Sequence, residues 1–298
     1  MKNYPYHQSP FYKCTTKRKL SEILKIDIRV IKEITRKIED CTAYHSFTER
    51  KGRYITSPNR QLKNIQRRIN GLLSRIEVPD WIHGGIKNKS IQTNASTHKK
   101  SKFFLMLDIK SFFDNCRREN VYQYFCSKMK MSKDTAKIMT DLTTFNNKLA
   151  TGSPTSTYLS FLVYEDMFTK INKIILNKGM IMTLYVDDIT ISGNEEIKEL
   201  SALISQVDII MKEYGHRLNH AKTNYQWIED FPIITGVAID PQGVLRVPNK
   251  QRYKIVKSLR KINDVQTITS TKSRIMAAQQ IEEGLFSNTL KTLSSKRL

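Results

Sequence analysis

Three aspartates stand out for where they sit. Asp108 ends the apolar run 103–107 in FFLMLDIKSFFDN, and Asp187-Asp188 lie between two apolar stretches in LYVDDITISG. A short apolar run bounded by polar residues reads as a buried strand. Residues 180–186 and 189–192 then read as the arms of a hairpin with the acids at its tip. If the strands are neighbours in one sheet, the three carboxylates come close enough to repel and raise one another's pKa, so they need a cation. Magnesium takes oxygen ligands and normally keeps substrate phosphates and waters in its shell. Two such ions ~3.5–4 Å apart activate a 3′ hydroxyl and stabilise a departing pyrophosphate. A single Asp after a strand is usually a turn residue or a cap. Here an aromatic-valine-Asp-Asp tip between apolar strands accompanies an upstream strand-borne Asp followed by a Phe-Phe pair.

Elements of both types must surround such a site. Leu20, Ile23, Leu24, Ile28, Ile31, Ile34 and Ile38 at helical spacing predict one amphipathic helix over the first forty residues. A second helix is expected after Pro58, with Leu62, Ile65, Ile69, Leu72 and Leu73 as its stripe. Residues 87–101 are polar and read as loop. Helices are expected over 117–130, after the N-cap Ser132, from the Thr151–Pro154 turn to about 176, and over 195–214. Strands are expected near 233–239 and 244–247, and the tail reads as helical and basic. Strands and helices interleave without a regular βαβ rhythm, so the class is α+β.

Bulk composition narrows the partner. Fifty Lys+Arg against 28 Asp+Glu give a formal charge of +22, which points to a polyanion such as nucleic acid. A hydrophobic share of 39% excludes a disordered chain. Cys14, Cys41, Cys116 and Cys126 form no CxxC pair and read as free thiols. No run approaches the ~18 apolar residues a membrane span needs, and the N-terminus lacks a signal-peptide core. A soluble, cytoplasmic protein is expected.

Tyr185-Val186-Asp187-Asp188 resembles the active-site box of reverse transcriptases, and Asp108-Ile109-Lys110-Ser111-Phe112-Phe113 resembles their first carboxylate box. The resemblance continues in family order. Arg53-Tyr54-Ile55-Thr56-Ser57-Pro58 resembles the segment whose Arg grips the incoming triphosphate, a task suited to a guanidinium fork. The run from Leu149 through Thr151 and Gly152 to Ser156 resembles the box against nucleotide and template. Gly215-His216-Arg217-Leu218-Asn219 with Lys222-Thr223 resembles the box whose Lys faces the phosphates. Asn94-Ala95-Ser96-Thr97-His98 and Ile234-Thr235-Gly236 are similar to two strings that retron reverse transcriptases carry.

The resemblance implies a right-handed polymerase: fingers over 1–100, a palm with an antiparallel sheet over 101–240 containing part of the fingers, and a helical thumb over 241–298. It implies Asp108, Asp187 and Asp188 as catalytic residues, and these with Ile109 as the holders of two Mg²⁺. It implies Arg53, Phe113, Thr151, Gly152 and Lys222 around the dNTP. Asn94, His98, Thr235 and Gly236 would contact RNA, as would the stripe Lys250, Lys254, Lys257 and Lys261. The implied partner is a cognate noncoding RNA, template and primer for a branched RNA–DNA hybrid, with a separate effector protein in phage defence. Another bacterial reverse transcriptase type, or an RNA-binding scaffold without catalysis, remain the alternatives. The family's usual Leu-Pro-Gln-Gly reads Leu149-Ala150-Thr151-Gly152 here, without the Gln amide. His216 and His220 lack a third ligand for zinc. Asp114 reads as a local cap, and Trp81 and Trp227 as packing.

Overall fold

The computed structural model describes residues 3–49, 52, 54–260 and 264–295. The first region holds α1 (Lys17–Leu24), α2 (Ile28–Glu39), the strands β1 (Tyr44–Thr48) and β2 (Tyr54–Pro58), α3 (Arg60–Leu73) and α4 (Ile91–Thr97). β3 (Phe103–Asp108) follows, then α5 (Phe112–Asn115), α6 (Arg118–Gln123), α7 (Lys133–Thr143) and the short pair β4 (Thr144–Phe145) and β5 (Lys148–Leu149). The long α8 (Ser156–Asn177) leads into the hairpin β6 (Ile181–Tyr185) and β7 (Asp188–Gly193), then α9 (Leu200–Glu213) and β8 (Asn224–Trp227). β9 (Ile233–Ile234), β10 (Val237–Ile239) and β11 (Leu245–Arg246) precede the helices α10 (Asn249–Leu259), α11 (Val265–Ile281) and α12 (Ser287–Ser295). The class is α+β.

Four antiparallel strands in the order β6-β7-β3-β8 form the central sheet. Phe103, Leu105 and Leu107 point to one face and enter the main core with Ile189 and Ile191. Phe104 points to the other face and packs with Ala95 of α4 and with Ile234, Val237 and Ile239. A sheet buried on both faces explains why β3 is a continuous apolar run, not an alternating one. The separate sheet β11-β10-β9 therefore lies on the side of the central sheet to which Asp108 also points.

Several expectations need correction. The first amphipathic stripe is two helices, because Lys25 takes a left-handed conformation and Asp27 caps a new start at Arg29 N. Residues 87–101 are not all loop. Ser90 and Thr93 make a reciprocal capping box that starts α4, a contact worth about 1 kcal/mol in typical helices. The strand expected over 233–239 is two strands, split by positive φ at Thr235 (47°) and Gly236 (90°). α9 begins at Leu200, later than the expected 195. The other helices after Pro58, after Ser132 and from the Thr151 turn stand where the sequence placed them.

Candidate active site

The β3–β7 ladder sets Asp108 directly opposite Asp188, and Asp188 in turn pairs with Tyr185 across the hairpin. The Ile109 N–H donates to the Asp187 carbonyl at 3.2 Å. One end of one sheet therefore carries all three aspartates. Like charges directly opposite on paired strands repel. Lys222 answers that repulsion: its ammonium lies 2.7 Å from Asp108 Oδ1, while the Asn219 amide donates to Oδ2 at 3.0 Å. The Lys222 pKa is raised, first by this hydrogen bond to Asp108, with the charges of Asp187 and Asp188 adding to it. Asn219 also donates its backbone N–H to the Asp108 carbonyl at 2.8 Å, which fixes the loop that delivers Lys222. Asp108, Asp188, Lys222 and Thr235 line a cleft of about 210 Å³.

The sequence profile described as "Reverse transcriptase (RNA-dependent DNA polymerase)" matches residues 13–254. This chain belongs to that family. It is 28% identical over 184 residues to the retron Se72 reverse transcriptase of Salmonella heidelberg, a match covering 61% of this chain and 48% of that relative. It is 24% identical over 277 residues to the retron Ec48 reverse transcriptase of Escherichia coli, covering 88% of this chain and 68% of the relative. For the retron Ec86 reverse transcriptase of the same species the identity is 26% over 211 residues, with 70% and 65% covered. The chain thus spans about half the length of the Salmonella relative.

Among the described residues no three His, Cys, Asp or Glu side chains are already arranged as a metal cage. Reverse transcriptases generally use divalent ions, which prefer oxygen ligands. Asp108 and Asp188 offer carboxylate oxygens of that kind on facing strand positions, and the Lys222 ammonium balances Asp108. His216 and His220 do not form a second site. His216 is fully buried against Phe112 and Tyr164, and burial pushes its pKa down to about 4, while the exposed His220 approaches Asp208 at 3.9 Å. Asp114 is no cap and no metal ligand in this arrangement; it forms an ion pair with Lys148.

The expected nucleotide contacts fall in three places. Lys222 is in the cleft. Thr151 and Gly152 lie against β2: the Gly152 N–H donates to the Thr56 carbonyl at 2.9 Å, and the Thr56 N–H donates to Thr151 Oγ1 at 3.3 Å. A Cβ on Gly152 would stand 2.7 Å from the Thr56 oxygen, so this loop requires glycine for that approach. Arg53, one residue before β2, lies outside the described residues. Phe113 is half-buried beside the fully packed Phe112, their ring centroids 5.4 Å apart. Neither Phe113 nor Thr151 nor Gly152 lines the 210 Å³ cleft.

Burial overturns two of the expected RNA contacts. Asn94 and His98 are both 0% exposed, so neither side chain is on a surface that RNA can reach. His98 bridges the hairpin, with Nδ1 2.6 Å from Ser192 Oγ and Nε2 2.7 Å from Thr183 Oγ1. Burial pushes its pKa down to about 3, so it is a neutral strut between α4 and the hairpin strands β6 and β7. Asn94 donates to Thr235 Oγ1 at 3.2 Å, and Gln251 of α10 donates to the Gly236 carbonyl at 2.8 Å. Lys250, Lys254 and Lys257 are exposed along α10, and Lys261 lies outside the described residues. The bond from Asn219 to Asp108 and the burial of Gln66 were not anticipated. Gln66 is buried between Tyr44, the Leu142 carbonyl and Ser153, where it ties α3 to the loop that follows β5. A lone Gln inside an apolar helical stripe was its only trace in the sequence.

Proposed function

We propose that this chain is the RNA-directed DNA polymerase of a retron, copying a cognate structured noncoding RNA into a branched RNA–DNA hybrid. The observation that carries the reading is the gathering of Asp108, Asp187 and Asp188 at one sheet end, with Lys222 against Asp108. The retron enzymes among its relatives support the type. Asp108, Asp187, Asp188 and the Ile109 position would hold two Mg²⁺. When bound, such ions activate the primer hydroxyl and offset charge on the leaving pyrophosphate. Lys222, kept protonated by its carboxylate neighbours, would turn to the phosphates and give them its Nζ proton. Arg53 would grip the triphosphate, Phe113 would lie under the sugar, and Thr151 and Gly152 would back the nucleotide.

In this reading the fingers occupy 1–100 and part of the next span, the palm 101–240 and the thumb 241–298. Thr235 and Gly236 would meet the nucleic acid at the cleft, and Lys250, Lys254, Lys257 and Lys261 would follow its backbone. A separate effector protein, a role in phage defence and a cytoplasmic location belong to the same proposal; among the described residues no helix is long and apolar enough to cross a membrane. Sequencing the nucleic acid that copurifies with the protein tests the whole. A branched hybrid joined through a guanosine 2′-hydroxyl is expected, and RNA with no attached DNA, from an active preparation, overturns the retron type.

The lysine stripe makes its own prediction. Exchanging Lys250, Lys254, Lys257 and Lys261 for Gln should weaken RNA binding and flatten the slope of log affinity against log salt. Each lost phosphate contact on a duplex lowers that slope by about 0.9. An unchanged slope would leave these lysines as a solvated helix face.

A further inference from the structure

Val186, at the tip of the catalytic hairpin, has φ 64°, a left-handed conformation that a β-branched side chain rarely adopts. Something must hold it there, because nothing intrinsic to valine does. The segment 81–85 lies directly against this turn. Leu184 N donates to the Trp81 carbonyl at 2.9 Å, and His83 N donates back to the Leu184 carbonyl at 2.8 Å, making a parallel bridge beside β6. Gly84 comes next. A Cβ built on it would stand 2.4 Å from Val186 N, 2.7 Å from Val186 Cγ2 and 3.0 Å from the Tyr185 carbonyl carbon. Gly84 is not among the glycines with positive φ, so glycine is needed here for space alone. Gly85 does have positive φ, 74°, and its added Cβ would meet Thr157 Cγ2 at 2.7 Å. The glycine pair is thus wedged between the catalytic turn and the start of α8. On its other side His83 Nδ1 is 3.0 Å from Thr93 Oγ1 in α4.

We propose that Gly84 is a positioning residue of the polymerase site: its bare backbone is the seat against which the Val186 turn is pressed, and it thereby sets where Asp187 and Asp188 stand relative to Asp108. The inference rests on the polymerase reading above. Its chain of contacts is short. Val186 is covalently next to Asp187, whose carbonyl accepts from Ile109, and Asp188 faces Asp108 in the ladder. A methyl group at residue 84 meets backbone, not the far end of a flexible side chain, so the turn itself must move.

Gly84→Ala tests this against Gly71→Ala, since a Cβ on Gly71 of α3 would meet nothing within 4 Å. A 1 Å displacement of reacting groups can cost about 100-fold, so a shift of a few tenths of an ångström should lower kcat about fivefold. KM for dGTP and RNA affinity should stay at wild-type values, because the nucleotide and RNA surfaces are untouched. Hydrogen exchange at the Leu184 amide should quicken in Gly84→Ala and not in Gly71→Ala, a readout that does not depend on catalysis. In a double-mutant cycle, Gly84→Ala should cost less in a Val186→Gly background, where Cγ2 is gone and a glycine backbone lets the turn yield to the remaining contact at the residue 186 nitrogen. A merely structural loss would be additive there. If Gly84→Ala is insoluble, Val186→Gly alone tests the seat, since it removes the Cγ2 that rests on Gly84: quickened exchange at the Leu184 amide supports the seat, and wild-type exchange overturns it. Wild-type kcat and wild-type exchange in Gly84→Ala overturn the proposal while leaving the polymerase reading intact. A wild-type protein without metal-dependent DNA synthesis would instead sink that reading, and the exchange experiment would still judge the seat.

Discussion

Replacing Asp187 and Asp188 together by asparagine should abolish primer extension and leave RNA affinity nearly unchanged. Asparagine keeps the shape of the side chain and removes its charge, so the effect is on cation binding and not on packing. Asp188 is exposed and Asp187 half-buried, and both sit where like charges crowd Asp108. Removing them relieves repulsion with Asp108 and also weakens the attraction that helps raise the Lys222 pKa, so thermal unfolding belongs beside the activity assay. The formal charge moves from +22 to +24 when two negative charges are deleted, so electrostatic attraction for RNA does not fall. Loss of the two-ion site should cost more than ~10³-fold in rate, or ~4 kcal/mol of transition-state stabilisation. Primer extension, RNA affinity and thermal unfolding would be measured on one preparation. Extension at the wild-type rate would remove these aspartates from the chemistry.

How much of this was readable beforehand depended on burial. β3 and the hairpin were legible because both faces of the central sheet are covered, which makes apolar runs that stop abruptly at charged residues. The β1–β2 hairpin was missed for the opposite reason. Its first strand buries only Tyr44 and exposes His45 through Thr48, so no apolar period marks it. The first helical stripe kept its spacing through a real break, since a left-handed Lys25 leaves no mark on hydrophobic periodicity. Asn94 and His98 were placed at the RNA because their string resembles one that retron reverse transcriptases carry, and a resemblance of short strings says nothing of burial. The groups that bury His98, Thr183 and Ser192, stand 85 and 94 residues further along the chain. Gly84 was visible only as part of a glycine doublet. What it touches is a property of the folded sheet alone.

Phe113→Ala should admit ribonucleotides. The structure separates the two phenylalanines after Asp108. Phe112 is buried among Tyr164, Phe168 and His216, so its truncation should destabilise the protein by the ~3–5 kcal/mol typical of a core Phe→Ala change. Phe113 is the half-buried member, on the short α5 that follows the positive-φ turn at Ser111. Its ring is therefore the one free to meet a substrate. A phenyl ring accepts no good hydrogen bond from a 2′-hydroxyl, so a ribose set against it would lose a water partner and gain no replacement. Rejection would then be both steric and desolvating. Size-based discrimination by an apolar wall is worth about 10–200-fold, and removing the wall should erase at least ~10-fold of the preference for dGTP over GTP. Single-nucleotide incorporation gives the answer, with kcat/KM for both nucleotides measured on wild type and Phe113→Ala. Loss of discrimination with dGTP incorporation retained assigns the gate to Phe113. Unchanged discrimination in a variant that still incorporates dGTP would place it elsewhere.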